Sequence, residues 1–149
     1  VSRIRDILEQ TGLAPQYLEL EITEGMVMDD VNRMQSTMQQ LDDMGVKLTL
    51  DDFGSGYSCL RQLTHYPITK LKIDQNFIKD VAISPQDATI TATIIALGRG
   101  MKLEVIAEGV ETPEQLRFLR EHQCRQAQGF LFCHPLPPEQ LTKFLDKNA

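Results

Sequence analysis

Five short segments of this chain alternate apolar and polar residues, and each ends on a charged or amide side chain. In one of them Leu48 and Leu50 alternate with Thr49 and Asp51, which is the two-residue period of a β-strand with one apolar face. The terminal side chains are, in chain order, Glu21, Asp51, Lys72, Glu108 and Gln128. A strand that only filled a core would not end on charge, so the pattern predicts a polar site where the strands end.

Helical patterns with start and stop signals separate the predicted strands. Asp29 or Asp30 can cap a helix that ends before Gly45, and Thr112 with Gln115 has the spacing of a capping box. The other predicted helices are one capped by Ser2 and stopped by Gly12, one closed by Gly98 and Gly100, a weaker one over 57–65, and one starting at Pro138. The chain therefore alternates strand and helix, and its last strand is predicted over AQGFLF, with Gln128, Phe130 and Phe132 on one side.

Alternation of strands and helices without hairpin signals indicates parallel strands joined by crossovers. A doubly wound sheet and a (β/α)8 TIM-like barrel both satisfy this, and polar residues on one face of every strand favour the barrel, whose mouth encloses a polar site. A complete barrel takes about 250 residues, whereas this chain has 149. We therefore expect an α/β partial (β/α)8 barrel over residues 1–149, with the last five strands and their helices and without about three amino-terminal strands.

Charge and composition exclude several classes of protein. A net charge of −6 argues against binding DNA or RNA through a basic surface. The sequence has no apolar run that would insert into a membrane and no secretory signal. Its three cysteines lack CxxC spacing, which is typical of reduced thiols. We expect a cytoplasmic segment, whose parent can still be tethered to a membrane through other domains.

Adjacent Asp51 and Asp52 are the sharpest part of the acidic set. Carboxylate oxygens are the ligands that Mg²⁺ and Mn²⁺ prefer, and a bound divalent cation can receive a phosphate that an acidic protein would repel. Lys72 beside these acids is either a counter-ion or a group that orients or deprotonates a water molecule. The GSG stretch after the aspartates is either a plain turn or a mobile loop that shapes the metal site.

The other acidic residues can have a role in the site or a structural role. Glu111 follows the fourth strand, where it can bind metal through water or anchor the preceding glycine loop. Glu19 and Glu104 face inward lower in the strands, and pairing with Lys47 or Lys70 is the expected role.

The ordered motifs EITE, DDFGSGYS, KIDQNFI, AEGVET and QGFLF resemble the EAL domain of bacterial cyclic-di-GMP phosphodiesterases over nearly the whole chain. Five motifs in matching order and spacing are far more specific than any one alone. The resemblance implies a (β/α)8-like barrel with one antiparallel strand and hydrolysis of cyclic-di-GMP to linear pGpG with two Mg²⁺ or Mn²⁺ ions. It also implies dimerisation through EAL domains.

The resemblance implies a role for each matching residue. Glu21 and Asp51 correspond to ligands of one metal, and Asp51, Asp52 and Glu108 to ligands of the other, with Asp51 as the bridge. Lys72 corresponds to the lysine that contacts the catalytic water. The supporting positions are Glu111 as a further acid, Gln128 near the metals, Glu24 as the anchor of the DDFG loop, and the loop residues Phe53, Gly54, Ser55, Gly56 and Tyr57.

Two departures from the family pattern carry expectations of their own. The Glu-Ala-Leu tripeptide and an asparagine ligand are absent from the sequence, so we expect this chain alone to have little or no activity while the parent domain is an enzyme. Cys133 and His134 stand where the family has a small residue followed by a basic one.

Two alternatives to a cyclic-di-GMP phosphodiesterase remain, a non-catalytic receptor for cyclic-di-GMP and an unrelated metal-dependent barrel enzyme. Open strand edges also predict dimerisation, swapping or aggregation.

Overall fold

The computed structural model of the protein describes residues 1–29, 31–54 and 63–148. Its centre is one parallel sheet in which neighbours in the chain are neighbours in space. The strands are β1 (Glu19–Thr23), β2 (Lys47–Phe53), β3 (Lys70–Ile73), β4 (Glu104–Ala107) and β5 (Gln126–Ala127). This order, with helices between the strands, is that of five consecutive strands of a TIM-like (β/α)8 barrel, which confirms the predicted fold class.

Helices occupy most of the connections between the strands. They are α1 (Ser2–Thr11), α2 (Glu24–Asp29), α3 (Val31–Asp43), α4 (Gln75–Lys79), α5 (Pro85–Gly100), α6 (Pro113–Glu121) and α7 (Pro138–Asn148), with a 3-10 turn at Pro15–Tyr17. Within the described ranges, no helix is both long enough and apolar enough to cross a bilayer. The helix α2, which carries Glu24, was not predicted.

Several helix boundaries agree with the sequence signals. Gly12 ends α1 with φ +68°, and Thr112 forms the capping box with Gln115 at the start of α6. The predicted cap at Ser2 is wrong, because Ser2 is the first residue of the helix and Val1 holds the cap position without a side-chain hydrogen bond. Asp30 and most of the helix predicted over 57–65 lie outside the described residues.

One face of the sheet forms the core, because alternate apolar strand residues point that way. Leu48, Leu50, Leu71 and Ile73 are at most 1% exposed, and they belong to one cluster with Met38 of α3, Ile95 of α5 and Leu119 of α6. Burying one such side chain contributes about 1.5–3 kcal/mol. The hydrophobic effect thereby directs the alternate, polar strand residues to the opposite face.

The fifth strand is shorter than predicted. β5 ends at Ala127 and the chain then turns, with the Phe132 N–H donating to the Gly129 carbonyl at 3.1 Å. A Cβ on Gly129 would lie 2.1 Å from the Val110 carbonyl oxygen, so only glycine allows this close backbone approach. Phe130 is 54% exposed. The period-two interpretation of AQGFLF was therefore wrong beyond its first residue, Ala127.

Candidate functional site

Four strand ends bring charged side chains to one point. The Lys72 ammonium at the end of β3 lies 2.8 Å from Glu21 Oε1, 3.1 Å from Asp51 Oδ1 and 2.7 Å from Glu108 Oε1. The carboxylates come from β1, from β2 and from the residue that follows β4. Parallel strands that run in register end at the same edge of the sheet, which is why residues so far apart in the chain meet. The structure brings together these four residues that the sequence singled out.

A bulge in β2 turns two adjacent aspartates toward the same site. Successive residues of a regular strand point to opposite faces. The pairing of β2 with β3 shifts between Leu50 and Phe53, and Asp52 adopts φ +53°, a left-handed conformation that aspartate tolerates better than most residues. Oxygens of Asp51, Asp52 and Glu108 all lie within 4.8 Å of one another. Both aspartates therefore serve one cluster.

Negative charge exceeds positive charge in this cluster. Burial alone would lower the pKa of the Lys72 ammonium, but hydrogen bonds to Glu108, Glu21 and Asp51 outweigh it and hold the pKa above its ordinary value. The pKa of Asp52 is raised, first by burial and then by repulsion from neighbouring carboxylates. Lys72 is thus a firmly protonated counter-ion, and one ammonium faces four carboxylates. This excess of hard oxygen donors is the chemistry that holds Mg²⁺, Mn²⁺ or Ca²⁺.

The turn after β2 is held by a predicted anchor. The Glu24 carboxylate, at the start of α2, accepts a hydrogen bond from the Gly54 N–H at 3.3 Å. Gly54 has φ +97°, and a Cβ there would lie 2.8 Å from Phe77 Cε2, so the turn requires glycine. Phe53 is a core residue, 3% exposed. The other predicted loop residues, Ser55, Gly56 and Tyr57, lie outside the described residues.

Two predicted residues lie at the same edge of the sheet but outside the cluster. Glu111 is exposed, and its backbone N–H donates to Gln115 Oε1 at 2.7 Å. Gln128 is exposed, and its backbone N–H donates to the Ala107 carbonyl at 2.8 Å, next to the end of β4. No ion pair or hydrogen bond joins the described side chain of either residue to Lys72. Their predicted roles stay predictions.

Sequence reasoning missed one acidic residue beside the site. Asp74 is 7% exposed and caps α4 by accepting the Asn76 N–H at 2.8 Å. Its charge contributes to the raised pKa of Asp52, after burial and the charge of Asp51. An aspartate between a strand and a helix is readable as a cap, but its closeness to Asp52 depends on the bulge in β2.

Comparisons with known proteins agree with this geometry. The family model of the EAL domain matches residues 1–135. NbdA of Pseudomonas aeruginosa, named a cyclic di-GMP phosphodiesterase, is 46% identical over 145 residues, which cover 97% of this chain and 18% of NbdA. The chain therefore spans less than a fifth of this relative.

Two solved structures share the fold of this chain. The PaMucR phosphodiesterase in complex with c-di-GMP is 44% identical with a TM-score of 0.89, and the match covers 93% of this chain and 56% of that one. Klebsiella pneumoniae BlrP1, in a complex with manganese and cy-diGMP, is 35% identical with a TM-score of 0.83, over 90% of this chain and 34% of that one. Together with the family match, these likenesses show that the chain belongs to the EAL domain family.

Proposed function

We propose that this chain forms the metal-binding half of a cyclic-di-GMP phosphodiesterase site that produces linear pGpG. Glu21, Asp51, Asp52 and Glu108 are the proposed ligands of two Mg²⁺ or Mn²⁺ ions, with Asp51 shared between them. The observation that carries the proposal is the approach of three carboxylates to within 4.8 Å of one another beside a buried lysine. The names of the relatives support cyclic-di-GMP as the substrate and phosphodiester cleavage as the reaction.

Each residue of the site has a separate task in this proposal. Bound divalent cations would lower the pKa of water and stabilise the entering and leaving oxygens of the phosphodiester. Lys72 is proposed to orient the attacking water, because its ammonium lies within 3.1 Å of oxygens of three proposed metal ligands. Glu24 holds the turn at Gly54, which keeps both aspartates in place. Glu111 and Gln128 are proposed to support the ligands and substrate from the same edge of the sheet.

We further propose that residues 1–149 are the carboxyl-terminal part of one cytoplasmic EAL barrel that dimerises through its EAL domains. The sequence contains no Glu-Ala-Leu tripeptide, where the family resemblance places a further ligand. We therefore expect the chain by itself to hydrolyse little or no cyclic-di-GMP. The match covers 56% of the PaMucR chain, which supports the proposal that residues 1–149 form part of a longer EAL barrel.

Product formation tests the function directly. A hybrid domain, with the amino-terminal EAL strands of NbdA placed before this chain, is incubated with cyclic-di-GMP and saturating Mg²⁺, and pGpG is separated by chromatography. We expect pGpG from the hybrid and none from its Asp51→Asn variant. The control is Asp42→Asn, which removes the charge of an exposed aspartate of α3 and should leave the rate unchanged. Hydrolysis that survives Asp51→Asn would contradict the proposal. Binding without product would favour the receptor alternative.

A further inference from the structure

A second polar layer lies beneath the carboxylate site, toward the amino ends of the strands. Glu19, Thr49 and Lys70 stand two residues before the site residues of β1, β2 and β3 and therefore share their face of the sheet. The Lys70 ammonium lies 2.9 and 2.8 Å from the two carboxylate oxygens of Glu19. The Thr49 hydroxyl, 1% exposed, donates to the same carboxylate. The three side chains form one connected network.

This layer joins strands that share no backbone hydrogen bonds. Glu19 belongs to β1 and Lys70 to β3, with β2 between them, so only side chains link the two strands at this level. Thr49 pairs with Lys70 in regular register, and the regularity is lost after Leu50, where the bulge begins. Glu19, Thr49 and Lys70 are thus the last polar contacts among the three strands before the irregular segment that carries the aspartates.

Thr49 is buried, whereas the side chains of Lys70 and Glu19 are 19% and 34% exposed. A partly exposed ion pair contributes little to stability, so we explain this pair by the position that it specifies. The Lys70 ammonium has both Glu19 carboxylate oxygens within 2.9 Å, the geometry of a charge-assisted contact that holds the two side chains at a defined separation.

We propose that Glu19, Thr49 and Lys70 are positioning residues that set the distance between Glu21 and Lys72 and thereby tune the affinity of the site for divalent cations. The inference rests on the proposed function, because it assumes that the carboxylates bind metal. Glu21 is 51% exposed, so its place depends mainly on its strand and on Lys72. Two residues of strand separate each positioning residue from the site, a rigid distance of about 7 Å.

Mn²⁺ affinity of the folded chain is the readout, because a purely structural role would not change it. Calorimetric titration with Mn²⁺ compares the wild type with Lys70→Met and Glu19→Gln, and circular dichroism checks that each variant is folded. We expect each variant to bind Mn²⁺ about tenfold more weakly, the effect typical of residues that hold metal ligands in place. Lys70→Arg, which keeps the charge and the contact, should retain most of the affinity.

Lys47→Met is the matched control. Lys47 lies opposite Glu19 in the sheet register and is exposed, and it forms no ion pair with Glu19 within 4.0 Å. Its removal deletes the same charge without breaking the network, so Mn²⁺ affinity should change less than about twofold.

The outcomes separate this inference from the proposed function. Unchanged Mn²⁺ affinity in folded Lys70→Met overturns the inference alone, and so does an equal loss in Lys47→Met, which would indicate a general charge effect. If Lys70→Met does not fold, Glu19→Gln decides, because its amide keeps the shape of the carboxylate and can still accept from Thr49. Failure of the wild-type chain to bind Mn²⁺ overturns the inference and the metal site together.

Discussion

Replacing Lys72 by methionine tests whether a tethered ammonium balances the carboxylate site. The side chain is 8% exposed, and its ammonium lies within 3.1 Å of three carboxylate oxygens. Methionine keeps an unbranched chain but removes the charge, so the cluster of carboxylates loses its counter-ion. We expect Lys72→Met to be folded but less stable than the wild type when EDTA removes divalent cations.

The size of the loss follows from the exposure of the partners. Removing one member of a buried ion pair costs about 3–5 kcal/mol. Asp51 and Glu108 are 19% and 18% exposed, while Glu21 is 51% exposed and better screened by water. We therefore take the low end, about 3 kcal/mol. A domain of this length loses about 3 °C in Tm per kcal/mol, which predicts a decrease of about 9 °C.

Thermal unfolding in EDTA and in saturating Mn²⁺ measures both parts of the argument. A divalent cation supplies the charge that methionine lacks, so Mn²⁺ should raise the Tm of Lys72→Met by more than it raises that of the wild type. Lys79→Met, at an exposed lysine of α4, is the control and should follow the wild type in both buffers. Equal Tm values for Lys72→Met and the wild type in EDTA would refute the reasoning, as would equal increments with Mn²⁺.

Two further predictions concern stability. Gly129→Ala places a Cβ 2.1 Å from the Val110 carbonyl oxygen and should lower the free energy of unfolding in urea by about 3 kcal/mol, whereas Gly100→Ala, with nothing within 4 Å, should change it by less than about 1 kcal/mol. Equal effects would show that the turn tolerates a side chain. Because the pKa of Glu19 is lowered by folding, the stability advantage of wild type over Glu19→Gln should be complete above pH 4.5 and vanish as pH falls through the lower folded-state pKa. An advantage that grows in acid would contradict this sign.

Local signals predicted the elements whose causes are local. Gly12 and Gly45 follow α1 and α3 with positive φ, as a glycine after a predicted helix should. Thr112 and Gln115 cap α6 through their own side chains. By contrast, the left-handed residue after α5 is Lys102, beyond Gly98 and Gly100, which were predicted to close the helix and lie within it, and the left-handed residue after α6 is Gln123. Local backbone hydrogen bonds close both turns, from the Leu103 N–H to the Gly98 carbonyl at 2.8 Å and from the Cys124 N–H to the Leu119 carbonyl at 2.9 Å.

Some features of the candidate site could be predicted from the sequence and others could not. The two-residue period placed Glu21, Asp51 and Lys72 on one face of their strands, because alternation follows from backbone geometry within a single strand. It could not choose between Lys47 and Lys70 as the partner of Glu19. The structure shows Lys70, whose ammonium lies 2.8 Å from Glu19 Oε2, whereas the described side chain of Lys47 forms no ion pair with Glu19, although Lys47 is the register partner of Glu19 in β2.

The sequence by itself determined the apolar and polar faces of the strands and the residue types available for the site. Only the tertiary structure decided that Asp51 and Asp52 both reach Glu108, since this requires the bulge opposite β3 and a left-handed Asp52. Regular alternation would have sent the two aspartates to opposite faces. The period of a strand is a property of a few adjacent residues, whereas strand register and bulges depend on contacts between residues far apart in the chain.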